Sequence, residues 1–393
     1  MAAQLATTAG QGNRLPDPDS ISELLAGGHL TIDTQAIARN WRSLRDRLRP
    51  GSACAATVKA DAYGTGLIET SKALADAGCT TFFVALPLEA IRLRKALPKA
   101  TIYVLNGLFP NCSDAYAVNR IRPVLGSMPE IIEWASFCRA TKEAHPAAIH
   151  IDTGMNRLGL RLEAFKVLMA DPELLASFDP CLLMSHLACG STPDSSLNAK
   201  QLDLFTGITG KYSHIPRSLS NSAGVFLGHE YHFDLARPGI ALYGGRAVDT
   251  PGTELEPVAK VEARILVTRE VPAGETIGYG AAQTAQRDMT IAVVASGYAD
   301  GLLRRAGSSD NAPGAFAVLA GRKVPLVGRV SMDMIAIDVT DVPQPLARRG
   351  AFVEMLGPNV AAADLAAYAQ TIDYEYLTSL GRRFLRHYGP LAA

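Results

Sequence analysis

The 393-residue chain carries no excess charge of either sign, since 38 lysines and arginines balance 38 aspartates and glutamates. A neutral chain with a pI of about 7.1 has no electrostatic footprint for nucleic acid or an anionic membrane surface. No apolar run approaches the roughly 20 residues that a membrane span needs. The first ten residues lack the basic region and apolar stretch of a secretory signal. The six cysteines form no C-x-x-C pair, which points to reduced thiols in a cytoplasmic protein and away from a zinc site. Cys181 and Cys189 read as buried small hydrophobes. His229-Glu230-Tyr231-His232 lacks the i, i+4 histidine spacing of a helical zinc motif, so no metal is expected. The Gly-rich dinucleotide fingerprint is missing too, because Glu69 stands where a third glycine would follow Gly64 and Gly66.

What remains is the text of a globular protein, 48% hydrophobic and 19% charged, with length for about two domains. Residues 1–19 are small, polar and broken by Pro16 and Pro18, and read as a mobile tail. Ser20 and Glu23 have capping-box spacing for a short helix ended by Gly27-Gly28. A strand follows over 30–33. Thr34 is the predicted cap of a helix whose apolar stripe is Ile37, Trp41, Leu44 and Leu48. Short apolar runs then recur at 81–85, 101–105, 121–125, 147–151 and 181–185, separated by helix formers at 88–97, 129–142 and 162–169. Such alternation predicts a parallel sheet. Sustained over more than two hundred residues, it suits a closed (β/α)8 TIM barrel better than the doubly wound open sheet that is the alternative. Near Pro257 the period changes to two, with Val261, Ala263, Ile265 and Val267 alternating with polar residues. A C-terminal, mainly antiparallel β domain is expected. The expected organisation is a tail and short helix over 1–27, a barrel over 28–258 and a β domain over 259–393.

Residues 53–58 read as a strand buried on both faces, and Lys59 falls at its end. Gly64 and Gly66 allow a tight turn or a close backbone approach to a ligand, and 67–77 reads as a helix closed by Gly78. A lysine at such a strand mouth is either a surface side chain whose stem crosses apolar atoms or a desolvated amine. In the second case its pKa falls and it becomes a nucleophile for Schiff-base chemistry.

Lys59-Ala60-Asp61-Ala62-Tyr63-Gly64-Thr65-Gly66 resembles the cofactor-lysine motif of the alanine racemases, pyridoxal-phosphate enzymes built on a barrel plus a β domain. Further matches follow in the family's order: Asp152-Thr153-Gly154-Met155-Asn156-Arg157, Ser185-His186, Asn221-Ser222-Ala223-Gly224 and Arg237-Pro238-Gly239-Ile240. Beyond the boundary come Gly278-Tyr279-Gly280, Gly297-Tyr298-Ala299-Asp300-Gly301, Ser331-Met332-Asp333 and Tyr374-Glu375. The resemblance spans residues 29–393. It implies that the first strand crosses to the β domain, that Lys59 carries pyridoxal 5'-phosphate covalently, and that Tyr63 lies near the phosphate.

For the phosphate, Ser222, Gly239, Ile240 and the hydroxyl of Tyr374 are the implied ligands, with Asn221 beside them. Read alone, Asn-Ser-Ala-Gly is equally an ordinary turn. Arg237 resembles the arginine that meets the cofactor's ring nitrogen, to which a guanidinium cannot give a proton; read alone, it would make a structural ion pair. Racemisation needs a base on each face of the substrate. Lys59 supplies one and Tyr279 matches the second, with His186 and Arg237 in the positions linked to it. A histidine after a strand is also an ordinary hydrogen-bonder.

The resemblance further implies Arg157 at the substrate carboxylate, a Met332 backbone donor beside Asp333, and Tyr298 narrowing the entrance. Some relatives hold that arginine with a carbamylated lysine two residues before Asp-Thr-Gly-Met. This chain has His150 there, leaving a bound anion or the imidazole itself for that task. The expected activity is alanine racemisation, supplying D-alanine for peptidoglycan, in a cytoplasmic homodimer with Tyr279 acting in trans. The alternatives are a broader or serine racemase, a decarboxylase, which would not need Tyr279, and a non-catalytic barrel, which would not have residues 259–393.

Overall fold

The alternation of buried runs and amphipathic segments folds as eight parallel strands with helices outside them. In the computed structural model, residues 18–391 are described; the tail expected over 1–19 lies almost wholly outside them. In chain order the barrel strands are Ala53–Cys54 with Ala56–Thr57, Thr81–Val84, Thr101–Val104, Arg122–Leu125, Pro146–His150, Asp179–Met184, Arg217–Ser218 and Leu235–Ala236. Each pairs in parallel with the next through the seventh. Amides of Asp234 and Arg237 donate to the carbonyls of Arg217 (3.0 Å) and Ser220 (2.9 Å), joining seventh to eighth. The amides of Ala53, Ala55 and Thr57 donate to Asp234, Ala236 and Pro238, each at 2.9 Å, and return the eighth strand to the first. The sheet is a closed barrel, and the open-sheet alternative falls.

Alternation along these strands builds two layers. Ala55, Phe83, Tyr103, Val124, Ala148, Leu182, Met184 and Leu235 point inward and fill the barrel, as side chains do in barrels of this size. Their neighbours Phe82, Ile102, Leu125, Ile149 and Leu183 point outward into the larger core beneath the helices. The helix Thr34–Asp46 buries Ile37, Trp41 and Leu44, the predicted stripe. Its cap is Asp33, which accepts from the Ala36 amide at 2.8 Å; Thr34 is the first helical residue. The short first helix runs Pro18–Leu25, so Ser20 lies inside it instead of capping it.

The second sheet is organised on the long strand Ala259–Val271. It pairs antiparallel with Met289–Val294, Phe352–Leu356 and Gly28–Ile32. Gly28–Ile32 precedes the barrel in the chain yet belongs to this sheet, with Leu385–Tyr388 parallel on its other side at the sheet edge. Two helices within the domain, Ala362–Ala369 and Asp373–Ser379, go beyond the strand-and-turn pattern read there. All six cysteines are free, and Cys181 and Cys189 are only partly buried. Among the described residues, no helix is long and apolar enough to cross a membrane.

Candidate active site

A cleft of about 500 Å³ opens at the C-terminal ends of the barrel strands. It is lined by Lys59, Tyr63, Arg157, His186, Asn221, Ser222, Arg237, Gly239, Ile240 and Tyr374, with His150 and Met184 among the remainder. Every first-domain residue to which the resemblance gave a catalytic, cofactor or substrate contact therefore converges on one mouth. Tyr279, Tyr298, Met332 and Asp333 do not line it; the first three stand 72%, 43% and 53% exposed on the β domain. Asp333 is held by Arg383 at 2.7 Å, and Arg383 also pairs with Asp300 at 3.0 Å. Arg383 thus bridges two carboxylates of the β domain.

Lys59 stands two residues past the end of the first barrel strand, and the chain continues from it in a left-handed turn. Ala60, Asp61, Ala62 and Tyr63 all have φ of 54°. L-residues adopt this conformation at a cost of about 1–2 kcal/mol each. Several contacts hold the turn. Ala60 donates its amide to Glu89 Oε1 at 2.6 Å, and Ala62 donates to the Val58 carbonyl at 3.0 Å. Leu67 donates to Asp61 Oδ1 at 3.0 Å, and Arg386 donates to the Gly64 carbonyl at 2.8 Å. The glycines here admit protein instead of ligand. A Cβ on Gly64 would collide with the Leu377 carbonyl, and one on Gly66 with the Tyr388 hydroxyl. Burial, then the nearby Arg157 charge, holds the Lys59 amine below its usual pKa, with Glu89 opposing.

Arg237 is fully buried and has no carboxylate partner among the described residues. It donates to the Ser185 carbonyl at 2.6 Å and to the Ser218 hydroxyl. The structural ion pair is therefore not made. Burial pushes the guanidinium down to about 9, so it stays charged at neutral pH. His186 lies well below its ordinary value through burial, then Arg237 and Arg157. His150, the last residue of the fifth strand, is pushed down to about 4 by burial and the same two arginines. Both imidazoles are neutral at pH 7. Arg157 has no hydrogen-bonding or ionic partner among the described residues, so His150 does not take over the anchoring of that arginine.

The Asn-Ser-Ala-Gly segment is a turn, with Asn221 Oδ1 accepting from the Gly224 amide at 3.0 Å, and it also faces the cleft. The amides of Gly239 and Ala241 donate to Ser222 Oγ at 2.8 and 3.3 Å. A Cβ on Gly239 would strike the Tyr63 hydroxyl, and the Tyr63 ring stacks on Tyr243 at 4.6 Å. With two amides donating to its oxygen, the Ser222 hydroxyl keeps its own proton to offer to an anion in the cleft, beside Tyr374.

Three supporting residues escaped sequence reading. Glu89 joins Ala60 to the amides of Ala85 (2.9 Å) and Leu86 (3.0 Å). Gln201 donates to Thr153 Oγ1 at 3.0 Å and to the His186 carbonyl at 2.9 Å, tying two site loops together. Ser218 holds Arg237. A glutamate three residues after Leu86 and two after Pro87 is a legible helix-start signal, but its contact with Ala60 is tertiary. Nothing in the sequence marks Gln201 or Ser218.

The mouth is fitted to a ligand with a phosphate at one end and an electrophilic carbon within reach of an amine. That is the specification of a pyridoxal-phosphate enzyme on a barrel. Comparison with known proteins makes the class particular. The pattern of the alanine racemase N-terminal domain matches residues 32–247, and that of the alanine racemase C-terminal domain matches 258–388. The chain belongs to the alanine racemase family. It is 46% identical to the alanine racemase of Rhodospirillum rubrum over 361 residues, covering 92% of this chain and 95% of that one. To the biosynthetic alanine racemase of Agrobacterium fabrum it is 44% identical over 381 residues, covering 95% and 96%. The crystal structure of the Bartonella henselae alanine racemase with covalently bound pyridoxal phosphate superposes with a TM-score of 0.87. The two chains are 38% identical, with 92% of this chain and 99% of that chain covered.

Proposed function

We propose that this chain interconverts L- and D-alanine by moving the substrate's α-proton between two bases, with pyridoxal 5'-phosphate carried on Lys59. One observation carries the proposal: the barrel cleft is lined by Lys59 but not by Tyr279, which stands 72% exposed on the other domain. A two-sided proton transfer then calls for a second copy of the chain. When bound, the cofactor supplies an electron sink that acidifies the α-proton.

The chain's own residues do the rest. Lys59, its amine held below its usual pKa by burial, exchanges the proton on one face. Tyr279 of the partner subunit exchanges it on the other, in a two-fold dimer whose symmetry builds two equivalent sites. His186, kept neutral beside Arg237, stands behind that tyrosine as an acceptor. Ser222, the amides of Gly239 and Ile240, and the Tyr374 hydroxyl hold the phosphate, with Asn221 and Tyr63 shaping its seat. Arg237 would face the ring nitrogen, to which its guanidinium could give no proton, and that would restrain side reactions. Arg157 and the Met332 amide receive the substrate carboxylate beside Asp333, and Tyr298 narrows the entrance. With His150 neutral and unable to form a carbamate, a small inorganic anion would anchor Arg157. We place the domain boundary at residue 258, and the reaction in the cytoplasm, supplying D-alanine for peptidoglycan.

The test uses two inactive parents. Lys59→Ala and Tyr279→Phe are unfolded, mixed and refolded together, and alanine racemisation is followed by chiral chromatography. Random pairing should restore about a quarter of wild-type activity, because half the dimers are mixed and each has one intact site. A mixture that refolds into dimers yet stays as inactive as its parents would sink the shared site. Wild-type protein that loads cofactor but leaves L-alanine unchanged would sink the activity.

A further inference from the structure

Away from the cleft, the two ends of the described chain meet in a group of three side chains with no task in the proposed reaction. Glu23 comes from the helix Pro18–Leu25, His29 from the strand Gly28–Ile32 and His387 from Leu385–Tyr388. The strands pair in parallel with His29 opposite Leu385 and Thr31 opposite His387. With a side-chain period of two, both histidines project from the same face. His29 Nδ1 lies 3.1 Å from His387 Nε2. The Glu23 carboxylate approaches those nitrogens at 3.6 and 3.4 Å. Among the described residues no other group of three histidines, cysteines or carboxylates converges so closely.

We propose that Glu23, His29 and His387 form a binding site for one divalent transition-metal ion, with Zn²⁺ as the probe. Tetrahedral zinc with bonds of about 2.0–2.1 Å to imidazole nitrogen and carboxylate oxygen keeps its ligand atoms roughly 3.3–3.4 Å apart. The two imidazole nitrogens stand 3.1 Å apart, a different Glu23 oxygen faces each of them, and one atom from each residue lies within 4.8 Å of the others, so a rotation of the Glu23 carboxylate would bring a single oxygen to that spacing. Two imidazoles and one carboxylate form a donor set suited to zinc. The cluster is also braced from outside. Arg264 donates to the carbonyls of Glu23 and Ala26 at 3.2 Å, fixing the end of the helix. The Arg264 guanidinium stacks over Phe352, whose ring packs edge-on against His29 at 4.8 Å. Second contacts of this kind orient ligands before a metal arrives. Glu23 and His387 are partly exposed, so a fourth position is open to water. The ion would pin the segment before the first strand to the last strand. This proposal does not depend on the reading of the cleft, because none of the three residues lines it.

The experiment strips holoenzyme with a chelator and titrates it with Zn²⁺ against a chromophoric competitor, alongside thermal melts. The expected result is one Zn²⁺ per chain with a raised Tm. Glu23→Gln and His387→Gln should each weaken binding at least about tenfold and lose the Tm increase. Their Tm in chelator and their racemase activity should match wild type. If the Glu23→Gln/His387→Gln double variant binds Zn²⁺ as tightly as wild type, or wild type binds none, the proposal is overturned. Where a variant misfolds, X-ray absorption of zinc-loaded wild type decides. A shell with two imidazoles supports the site, and a shell without them refutes it.

Discussion

The left-handed turn after Lys59 is the most strained part of the site, and Glu89 is its anchor from the neighbouring barrel unit. Four successive residues at φ 54° cost about 4–8 kcal/mol together, so the turn persists only while surrounding contacts enforce it. Glu89→Ala removes three acceptor contacts at once, to the amides of Ala60, Ala85 and Leu86. Ala60 and Leu86 are exposed enough to regain water. A net loss of about 1 kcal/mol per bond then gives roughly 3 kcal/mol of destabilisation. The freed Ala60 amide lets the turn relax and moves the lysine beside it. A displacement of about 1 Å at a reacting group can cost 100-fold in rate, so kcat/KM for alanine should fall by about that factor. Glu89→Gln keeps one oxygen and turns its NH2 group toward the other amides, so it should fall between. Removing the carboxylate also takes away the charge that opposes burial at Lys59, so cofactor uptake should persist to lower pH. The assay is chiral turnover well below the unfolding midpoint, with urea denaturation in parallel. A Glu89→Ala protein that loses the stability but keeps wild-type kcat/KM would refute the link between the turn and Lys59.

Gly239→Ala puts a methyl group against the buried Tyr63 hydroxyl. Overpacking of about 1–3 kcal/mol should weaken cofactor binding at least tenfold in a spectroscopic titration, and unchanged affinity would count against the phosphate seat. His150 is held at about 4 in the fold against an ordinary 6.5, so as pH falls the unfolded chain takes up its proton first. Its contribution to stability is therefore whole above pH 6.5 and drains away between 6.5 and about 4, by about 1.4 kcal/mol per unit. Guanidinium melts at several pH values should show a flatter slope for His150→Gln than for wild type. Substrate size gives another test: kcat/KM for leucine should lie at least about a hundredfold below alanine, since each methylene excluded is worth about 1–3 kcal/mol. Comparable values would defeat the reading of a narrow mouth.

The barrel was legible because fully buried strands must be apolar throughout, and runs such as 101–105 are hard to read as anything else. Period two around Val261, Ala263 and Ile265 likewise announced a half-buried sheet. Local chemistry was less legible. Thr34 and Asp33 are both good caps, and only the tertiary path of the chain decides between them. The glycines of the Lys59 loop were identified as sites of close approach, but their partners, Leu377 and Tyr388, come from more than three hundred residues away. Arg237 could be read as half of an ion pair because sequence carries no information on what a buried charge will face. The same limit hid the meeting of His29 with His387, which are 358 residues apart in the chain.

That long-range dependence bears on why the fold needs its second domain before any dimer forms. The Lys59 loop is built by the barrel but is not held by it alone. Arg386 binds the Gly64 carbonyl, Leu377 and Tyr388 occupy the space left by Gly64 and Gly66, and Tyr374 lines the cleft itself. All four belong to the C-terminal segment. The strand Gly28–Ile32 crosses over to pair between Ala259–Val271 and Leu385–Tyr388, so the first strand among the described residues locks the domain that braces the loop. A barrel cut off before Ala259 would keep Lys59, Ser222 and Arg237 in sequence. It would lose the packing that offsets a turn costing several kcal/mol, and the amine would no longer be fixed at the mouth of the cleft. The β domain therefore braces the lysine of its own chain, and in the shared site proposed above it would also present the exposed Tyr279 to a partner.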